Sequence, residues 1–514
     1  MAHNATGAKK LTGREFYRSL GSPKTIIAPM VDRSDGSSNP LLAYSPMFHA
    51  RLFKDRAAYR SQHFEAVRPS PVAGETAEPV PFLDGNPAID RPLIVQFCAN
   101  DPDELLAAAR LVQPYCDAVD LNLGCPQGIA KKGHYGAFLQ EDPELIYKLI
   151  HTLHTGLSIP VTAKFRILET REKTLDYAKM ILSAGASFIS VHGRRREQKG
   201  HNTGVADWSY IRYLRDNLPP ETVIFANGNI LNHDDIQKCL EATGADAVMS
   251  AEGNLSDPTI FSPPPPVGKE GCEYWRGRDG TGGYRLDFIL RRYMDIIYKY
   301  VLETAPPERE PLYDPSKPAS EEEAPKDSET SAPTPEDEGP PKKKQKKGRE
   351  QKVVTPNLTA MQGHMFQLLR PLVSKQTHVR DALAKSRAGD IAAFENVVSL
   401  VDQAVKQGIQ EYNANPGLYD GNPEDGRELT GSQATIAQYK RPWWVCQPYI
   451  RPLPEEAMQK GALQLKKKDR LEADSSNNGQ TRSNGATPGS SIPCGNGVEV
   501  EKEIATPKDQ LVSG

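Results

Sequence analysis

Cys125 is the residue of this sequence whose surroundings best suit chemistry. It lies in the segment Leu121–Gln127, where Gly124 and Pro126 bend the chain and would turn the thiol outward at the end of a short apolar run. A thiol with its ordinary pKa of about 8.5 stays mostly protonated near neutral pH, so it can donate a proton without a neighbouring base. His134, the nearest histidine, lies in a glycine-rich segment, and no Cys–His signature of a nucleophilic cysteine is present. We predict that Cys125 is a general acid, with an inert buried cysteine as the alternative.

Polar side chains and glycines also follow the other short apolar runs. They are Met30, Gln96, Asn122, Lys164, Arg166, His192, Arg194, the turn Asn227-Gly228-Asn229 and the stretch Ala251-Glu252-Gly253. The glycine-bearing turns after the last two runs favour a phosphate held by backbone N–H groups. Lys164 and His192, as cations or donors, suit a ring that gains negative charge on reduction, and Gln96 can both donate to and accept from a heterocyclic imide. These residue types predict a phosphorylated cofactor with an isoalloxazine ring.

Short β-branched apolar runs alternate with longer amphipathic stretches between residues 25 and 253, which is typical of parallel strands joined by helices. The eight predicted strands are Thr25–Val31, a weak one near Tyr44–Phe48, Leu93–Phe97, Ala118–Gly124, Val161–Arg166, Phe188–Gly193, Val223–Ile230 and Ala247–Gly253. Eight such units predict an α/β fold, a (β/α)₈ TIM barrel, whose active site lies at the carboxyl ends of the strands. A doubly wound open sheet is the competing fold, but no G-x-G-x-x-G follows the first strand.

The pattern changes after Gly283, where apolar residues recur at helical spacing up to Val301 and again from Leu358 to about Gln407. These segments predict a small α-helical domain, with 276–304 and 353–415 as its two parts. Its Arg and Lys residues could face an anionic partner or an ordinary solvated surface.

The remaining segments are predicted from composition. Residues 305–352 are rich in Pro and acidic residues and end in the basic cluster Lys342–Arg349, so we expect a disordered insert. Its basic cluster could be a nuclear-import signal, a contact to RNA or a solvated linker. We expect an extension over 1–20, the barrel over 21–275, a second extension over 416–460 and a disordered tail over 461–514. Trp443 and Trp444 could stack on RNA, but packing against the barrel is favoured.

Composition and charge narrow the class of protein. The chain has 514 residues, a formal net charge of −3 and 7 scattered cysteines without a Cys-x-x-Cys pair. We expect a reducing compartment, cytoplasmic or nuclear, with no secretion and no membrane span. No His, Cys and carboxylate set has ligand spacing, so we expect no metal, and strand-end carboxylates are too few for a paired-carboxylate hydrolase.

The strand-end motifs together resemble the tRNA-dihydrouridine synthases. The matching segments are APM at 28–30, the Gln96 strand, NLGCPQ at 122–127, GHYGAFL at 133–139, AKFR at 163–166, VHGR at 191–194, ANGNI at 226–230 and AEG at 251–253. GHYGAFL and the long extensions look most like the branch that modifies the adjacent D-loop positions 16 and 17.

The resemblance implies FMN as cofactor, NADPH or NADH as reductant, and tRNA as substrate and partner. It implies that Cys125 protonates C5 of the target uracil while the reduced flavin delivers hydride to C6, and that Asn122, Arg166 and Arg194 contact the substrate. The cofactor would be held by Pro29, Met30, Val31, Gln96, Lys164, His192, Asn227, Gly228, Asn229, Ala251 and Glu252. Glu252 stands where many relatives carry Arg, so contact through its backbone is the expectation there. We also expect a helical RNA-binding domain and a monomer.

Two other functions stay open at this stage. One is an FMN barrel acting on a free pyrimidine, of the dihydroorotate or dihydropyrimidine type. The other is a catalytically idle RNA-binding scaffold. Activity on purified tRNA and a bound yellow cofactor would discriminate between the three.

Overall fold

The computed structural model describes residues 10–28, 41–69, 78–316, 355–419 and 431–450. These residues form two compact units. The barrel unit comprises the described residues of 10–56, 87–254 and 449–450, and the helical unit those of 57–86 and 255–448. The basic cluster at 342–349 and the predicted tail at 461–514 lie outside the described residues.

Eight parallel strands close into a barrel in the first unit, which confirms the predicted (β/α)₈ fold and excludes the open sheet. They are β1 (Thr25–Ile27), β2 (Leu42–Tyr44), β3 (Leu93–Cys98), β4 (Ala118–Leu123), β5 (Val161–Arg166), β6 (Ile189–His192), β7 (Ile224–Asn227) and β8 (Ala247–Ser250). Each strand pairs with the next in sequence, and β8 pairs with β1 to complete the ring.

The second strand lies earlier in the chain than predicted. It ends at Tyr44, and Phe48–His49 pairs separately with the end of β3. Pro46 lies between the two segments and has no backbone N–H to donate to a ladder, so the pairing cannot run on continuously.

Helices follow the strands, and two of them begin as the sequence predicts. The Asp101 carboxylate accepts the Glu104 N–H at 2.8 Å, and the Asp142 carboxylate accepts the Leu145 N–H at 3.1 Å, each with a proline at the first helical position. The α-helices of this unit are Gly13–Ser19, Ala50–Asp55, Pro102–Val112, Gly128–Gly133, Pro143–Gly156, Arg171–Ser183, Trp208–Asn217, His233–Thr243 and Glu252–Ser256, with 3₁₀ turns at Gln113–Tyr115, Gly136–Glu141 and Gly200–Asn202.

The helix Gly13–Ser19 corrects the prediction that residues 1–20 are an extension. Phe16 stacks on Phe188 with ring centroids 5.7 Å apart, and Tyr17 lies 5.8 Å from Phe225. Both aromatic side chains are buried in a core cluster with strand residues that include Leu42, Ala118 and Ala247 at strand starts. The helix therefore closes the amino-terminal end of the barrel.

The helical unit has its own apolar core. Its helices are Ala57–His63, Leu286–Ile296 continuing as the π-helix Ile297–Leu302, Pro356–Leu368, Arg370–Lys375, Thr377–Lys385, Ile391–Ala414 and Gly431–Tyr439, and a 3₁₀ turn spans Pro416–Tyr419. Two small antiparallel sheets belong to the same unit: Val67–Arg68 pairs with Val80–Pro81, and Tyr274–Arg276 pairs with Gly282–Tyr284. Residues 57–86 and 255–275 belong to this unit, whereas the sequence assigned them to the barrel.

Trp443 and Trp444 lie in the core of the helical unit, which corrects the expectation that they pack against the barrel. A Cβ on Gly408, in the helix Ile391–Ala414, would be only 2.3 Å from Trp444 Cδ1, so the indole rests directly on the helix backbone. The Cys446 N–H also donates to the Tyr284 carbonyl at 2.8 Å. The segment is thus a structural part of this unit.

Residues 305–316, the first part of the predicted disordered insert, are packed as well. Arg309 forms a bidentate ion pair with Glu395 at 2.9 and 3.1 Å and a second ion pair with Asp295 at 2.6 Å. The Tyr313 ring packs on the core, and its carbonyl accepts from Arg285 at 2.7 Å. This stretch has few apolar side chains, and the Tyr313 ring together with charged and backbone groups holds it to the helical unit.

Candidate active site

The register of the parallel strands places the predicted polar residues in rows inside the barrel. Gln96 is level with Asp120, and Asp120 is level with Thr162. One row higher, Asn122 is level with Lys164, and at the carboxyl end Arg166, His192 and Asn227 are level with one another. Residues that are level on adjacent strands point to the same side of a sheet. The closed ring therefore gathers these side chains around one axis.

Cys125 lies just beyond β4, in a turn built by Asn122. The Asn122 Oδ1 accepts the N–H groups of Gly124 at 3.0 Å and of Cys125 at 2.8 Å, while its Nδ2 donates to Gln96 Oε1 at 2.8 Å. Asn122 was expected to hold the substrate. In this structure its oxygen is already used to shape the turn, and one amide hydrogen is left for a substrate.

The GHYGAFL segment packs against Cys125 from the other side. The Ala137 N–H donates to the Cys125 carbonyl at 3.0 Å. Gly136 has a φ of +64°, and a Cβ there would lie 2.8 Å from the Cys125 oxygen and 3.0 Å from its Cβ. Only glycine fits both this backbone conformation and this close approach.

Burial keeps the Cys125 thiol protonated. The residue is 4 % exposed, and burial raises the pKa of its thiol, while a hydrogen bond from the Gln127 backbone and the nearby cations Arg166, Lys164 and Lys199 lower that pKa in part. The thiol is thus the dominant form near neutral pH, and a thiolate, once formed, faces three positive charges. This environment fits a proton donor.

Lys164 places a buried cation beside this turn. Its side chain is 6 % exposed, and no Nζ partner occurs among the described residues. Burial and then Arg166 lower its pKa to about 8, against the opposing effects of Asp120 and Cys125. An unpartnered ammonium group inside a protein is costly, so this position is suited to an anionic or hydrogen-bond-accepting ligand.

Asp120 and Gln96 are fully buried behind the cysteine turn. Gln96 Nε2 donates to the Asp120 carboxylate at 2.8 Å, and Thr162 Oγ1 donates to it at 2.6 Å. Burial raises the pKa of Asp120 to about 6, while the hydrogen bonds from Thr162 and Gln96 and the charge of Lys164 lower it. Sequence analysis missed Asp120; the available signal was its position two residues before Asn122 on the same strand face.

A cavity of about 610 Å³, open to solvent, adjoins this cluster. It is lined by Pro126 and Gln127, by Arg166, His192 and Arg194, by the loop residues Gln198, Lys199, Gly200 and Thr203, and by 227–231 and 249–253. Arg166 joins the cavity to the cysteine turn, because its Nε donates to the Gly124 carbonyl at 2.8 Å.

The turn after β7 forms one wall of the cavity. Gly228 has a φ of +110°, and a Cβ there would lie 2.7 Å from the Ala206 Cβ and 3.0 Å from His192 Cδ2. Asn227 donates from Nδ2 to the Met249 carbonyl at 2.9 Å, and its buried Oδ1 has no hydrogen-bond partner in the described part of the chain. That oxygen needs a donor, and a ligand in the cavity can supply one.

His192 is neutral in this arrangement, so of its two expected roles, cation or donor, only the donor remains. Burial, followed by the charges of Arg166, Lys164 and Arg194, holds its pKa well below the ordinary value. Arg194 Nη1 lies 3.1 Å from His192 Nε2. Arginine has only donors, so Nε2 accepts and the ring proton is on Nδ1.

Arginines 166 and 194 were expected to bind substrate, and the structure gives both of them contacts to the protein backbone. Arg166 Nη1 donates to the carbonyls of Arg195 and Gln198, each at 3.1 Å. Arg194 binds the Gly204 carbonyl at 3.0 and 3.1 Å and Asn229 Oδ1 at 2.8 Å. Both side chains therefore hold the loop after β6 at the cavity edge.

The predicted site residues fall into three groups. Cys125, Asn122, Gln96 and Lys164 form the interior cluster with Asp120. The cavity lining holds the others, which are Arg166, His192, Arg194, Asn227, Gly228, Asn229, Ala251 and Glu252. Pro29, Met30 and Val31 lie outside the described residues.

Lys199 is a further residue that sequence analysis missed. Its Nζ donates to the Pro126 carbonyl at 2.6 Å and lies 5.9 Å from the centre of the Phe138 ring. Its only sequence signal was its place in the polar segment after β6. Lys199 thus ties this loop to the residue that follows Cys125.

Within the described ranges, no group of three or more His, Cys, Asp or Glu side chains is placed to hold a metal ion. The same residues include no helix with the length and apolar character needed to cross a bilayer.

The chain is similar in sequence to proteins of one known family. The family model described as dihydrouridine synthase (Dus) matches residues 7–272. The tRNA-dihydrouridine(16/17) synthase [NAD(P)(+)] of Saccharomyces cerevisiae is 42 % identical, covering 88 % of this chain and 89 % of that protein. Its namesake from Schizosaccharomyces pombe is 42 % identical, covering 87 % and 92 %. A human tRNA-dihydrouridine(20a/20b) synthase-like protein is 35 % identical, covering 34 % of this chain and 54 % of that protein.

Proposed function

This chain belongs to the dihydrouridine synthase family, and on that premise we propose that it reduces uridines 16 and 17 of the tRNA D-loop to 5,6-dihydrouridine. FMN is the proposed resident cofactor and NADPH or NADH the reductant. The choice of positions is supported by the extent of the similarity. Relatives named for positions 16/17 match nearly nine-tenths of the chain, whereas relatives named for 20a/20b match 34 % to 47 % of it.

The observation that carries the proposal is the buried thiol of Cys125, which lies on a turn fixed by Asn122 beside the cations Arg166, Lys164 and Lys199. Reduction of a uracil C5=C6 bond needs a proton at one carbon, and a buried thiol on a rigid turn is suited to give it. Lys164, Arg166 and Lys199 then stabilise the thiolate that remains. Asn122 orients the turn and has one amide hydrogen left for the uracil edge.

The residues present fit a flavin mononucleotide. The buried Lys164 side chain suits the electron-rich side of a flavin ring, and the orphaned Asn227 Oδ1 suits a donor such as a ribityl hydroxyl. Residues 227–229 and 251–252 line the same cavity, where a barrel commonly binds phosphate. When bound, the reduced flavin supplies the electron pair for the reduction.

Binding of tRNA is proposed to involve the helical unit. Arg380, Lys385 and Arg387 are exposed at and just after the helix Thr377–Lys385, and Arg380 is paired there with its neighbour Asp381 at 3.1 Å. Because a target base must be drawn out of the folded tRNA at a cost of about a few kcal/mol, contacts to phosphates elsewhere have to offset that cost. Exposed cations on a rigid helix can make such contacts.

The test of function uses the purified full-length chain, unmodified tRNA and NADPH. We expect a yellow protein, oxidation of NADPH, and dihydrouridine mapped by mass spectrometry at positions 16 and 17. Free uracil and orotate serve as competing substrates. Dihydrouridine at other positions would refute the assignment of positions, reduction of a free pyrimidine but not of tRNA would refute the substrate class, and a colourless inactive protein would refute the enzyme.

The test of the RNA surface is salt dependence. Reversing the charges of Arg380 and Lys385 should weaken tRNA binding and reduce the slope of log Kd against log salt, at roughly 0.7–0.9 for each phosphate that the variant no longer neutralises. Reduction of the flavin by NADPH should not change. Equal affinities and slopes for variant and wild type would remove this helix from the RNA surface.

A further inference from the structure

The hydrogen bonds behind Cys125 form a chain that ends at a buried carboxylate. We propose that Asp120 is a positioning residue for Cys125, because its carboxylate fixes the orientation of the Gln96 and Asn122 amides and, through them, the turn that presents the thiol. The inference rests on the proposed function, since it assigns Asp120 to the same proton transfer.

Asp120 is the hydrogen-bond acceptor for two neighbouring side chains. Its side chain has no exposed surface, and its two oxygens accept hydrogen bonds from Gln96 Nε2 at 2.8 Å and from Thr162 Oγ1 at 2.6 Å. An ionised carboxylate can only accept, so Gln96 must direct its NH₂ group toward Asp120. With a pKa of about 6, Asp120 is mostly ionised at neutral pH.

The orientation of Gln96 then decides the orientation of Asn122. With Nε2 directed at Asp120, Gln96 Oε1 faces Asn122, whose Nδ2 donates to it at 2.8 Å. Turning either amide around would bring donor against donor or acceptor against acceptor. Asn122 therefore has its NH₂ group on the Gln96 side and its oxygen on the cysteine side.

The last link is the turn itself. Asn122 Oδ1 accepts from the N–H groups of Gly124 and Cys125, at 3.0 and 2.8 Å. An inverted Asn122 amide would present NH₂ to these two N–H groups and would release the turn. Asp120 thus acts on the thiol through two side chains, without touching the substrate or the cofactor.

Three variants separate this role from simple stabilisation. Asp120→Leu removes both acceptors and keeps the same number and branching of side-chain heavy atoms. Asp120→Asn removes the charge but keeps one acceptor for Gln96, while the Thr162 hydroxyl can rotate to accept from the new amide. Thr162→Val is the matched control, because it removes a hydrogen bond to the same carboxylate that is not part of the chain to Cys125.

Two measurements are made on the flavin-loaded enzyme. The first is the single-turnover rate of dihydrouridine formation, with the flavin reduced beforehand and tRNA saturating. The second is the rate at which iodoacetamide alkylates Cys125, followed by peptide mass spectrometry. Flavin content and tRNA affinity are recorded for each variant, so that weaker binding is not counted as poorer positioning.

The proposal expects Asp120→Leu to lower the single-turnover rate by about 10²-fold, which is the loss that a misplacement of roughly 1 Å can cause. Alkylation of Cys125 should become several-fold faster, since the turn is released. Asp120→Asn should recover most of the rate, and Thr162→Val should stay near wild type in both measurements.

Two outcomes would overturn the proposal. In the first, Asp120→Leu and Thr162→Val have the same single-turnover rate and the same alkylation rate. In the second, Asp120→Asn loses as much of the single-turnover rate as Asp120→Leu does. If Asp120→Leu does not fold, Asp120→Ser carries the same test, because its shorter side chain cannot reach both partners. If the wild type makes no dihydrouridine, the proposed function fails, and the alkylation rates still decide whether Asp120 positions the thiol.

Discussion

Replacement of Gly228 by alanine tests whether the turn after β7 binds the cofactor. A non-glycine residue at a φ of +110° costs about 1–3 kcal/mol in backbone strain. The added Cβ would lie 2.7 Å from the Ala206 Cβ and 3.0 Å from the His192 ring. Relieving such overpacking costs roughly another 1–3 kcal/mol. The total is about 2–6 kcal/mol.

Whether the substitution weakens FMN binding or lowers the free energy of unfolding depends on whether the turn moves. If the turn shifts away from the cavity, the cost falls on FMN binding, and the Kd rises from roughly 30-fold to 10⁴-fold at 1.4 kcal/mol per decade. If the turn stays in place, the cost falls on the free energy of unfolding. We therefore expect Gly228→Ala to weaken FMN binding in a fluorescence titration, to lower the stability of the flavin-free protein in urea, or to do both with a combined cost in this range.

Two other glycines provide matched controls. Gly200 lines the same cavity and has a φ of +59°, but a Cβ there has nothing within 4 Å, so Gly200→Ala isolates the backbone strain. Gly128 has open space around its Cβ position and no positive φ, so Gly128→Ala should be neutral. The reasoning is refuted if Gly228→Ala matches Gly128→Ala in both FMN affinity and stability.

Three further outcomes are expected. Cys125→Ala should keep the flavin and lower dihydrouridine formation by about 10²–10⁴-fold, the usual contribution of a general acid, and turnover near wild type would remove Cys125 from the mechanism. The pKa of Lys164 is about 8 in the folded protein and 10.5 in the free side chain, so the unfolded chain binds more protons between these two pH values. The free energy of unfolding of the wild type should therefore rise with pH in this range, relative to that of Lys164→Met. Parallel urea-unfolding profiles of the flavin-free proteins across that pH range would contradict this. Deleting residues 306–350 should lower the melting temperature, because the deletion removes Arg309 and Tyr313 from the helical unit. Deleting only residues 320–350 should leave the melting temperature nearly unchanged. Equal melting temperatures for the two deletions would show that residues 306–316 add no stability.

Much of the barrel could be predicted because its signals are local. A run such as Val161–Arg166 carries its strand preference in consecutive residues, and Asp101 and Asp142 cap helices through residues three positions away. The position of the second strand was predicted wrongly because its bounds do not depend on local signals. Its true end depends on which partners lie opposite, and the closure of the barrel fixes that.

The candidate site was predictable in residue type but not in arrangement. Side chains at strand ends were found from the sequence, since the carboxyl ends of parallel strands meet in one place. The contacts that each of these side chains makes were not found from the sequence. Asn122, expected to bind substrate, uses its oxygen to hold the Cys125 turn, and Arg166 and Arg194 bind loop carbonyls. Alternation along a strand says which way a side chain points, not which neighbour lies level with it.

The sequence by itself determined the succession of strands and helices, the chemistry of the strand-end residues and the family resemblance, since all of these are written in neighbouring residues. Only the tertiary structure decided that Asp120 meets Thr162 from another strand, that Trp444 rests on Gly408, and that Arg309 pairs with Glu395. Each of these contacts joins residues far apart in the chain. Their geometry follows from barrel closure and helix packing, which no local pattern contains.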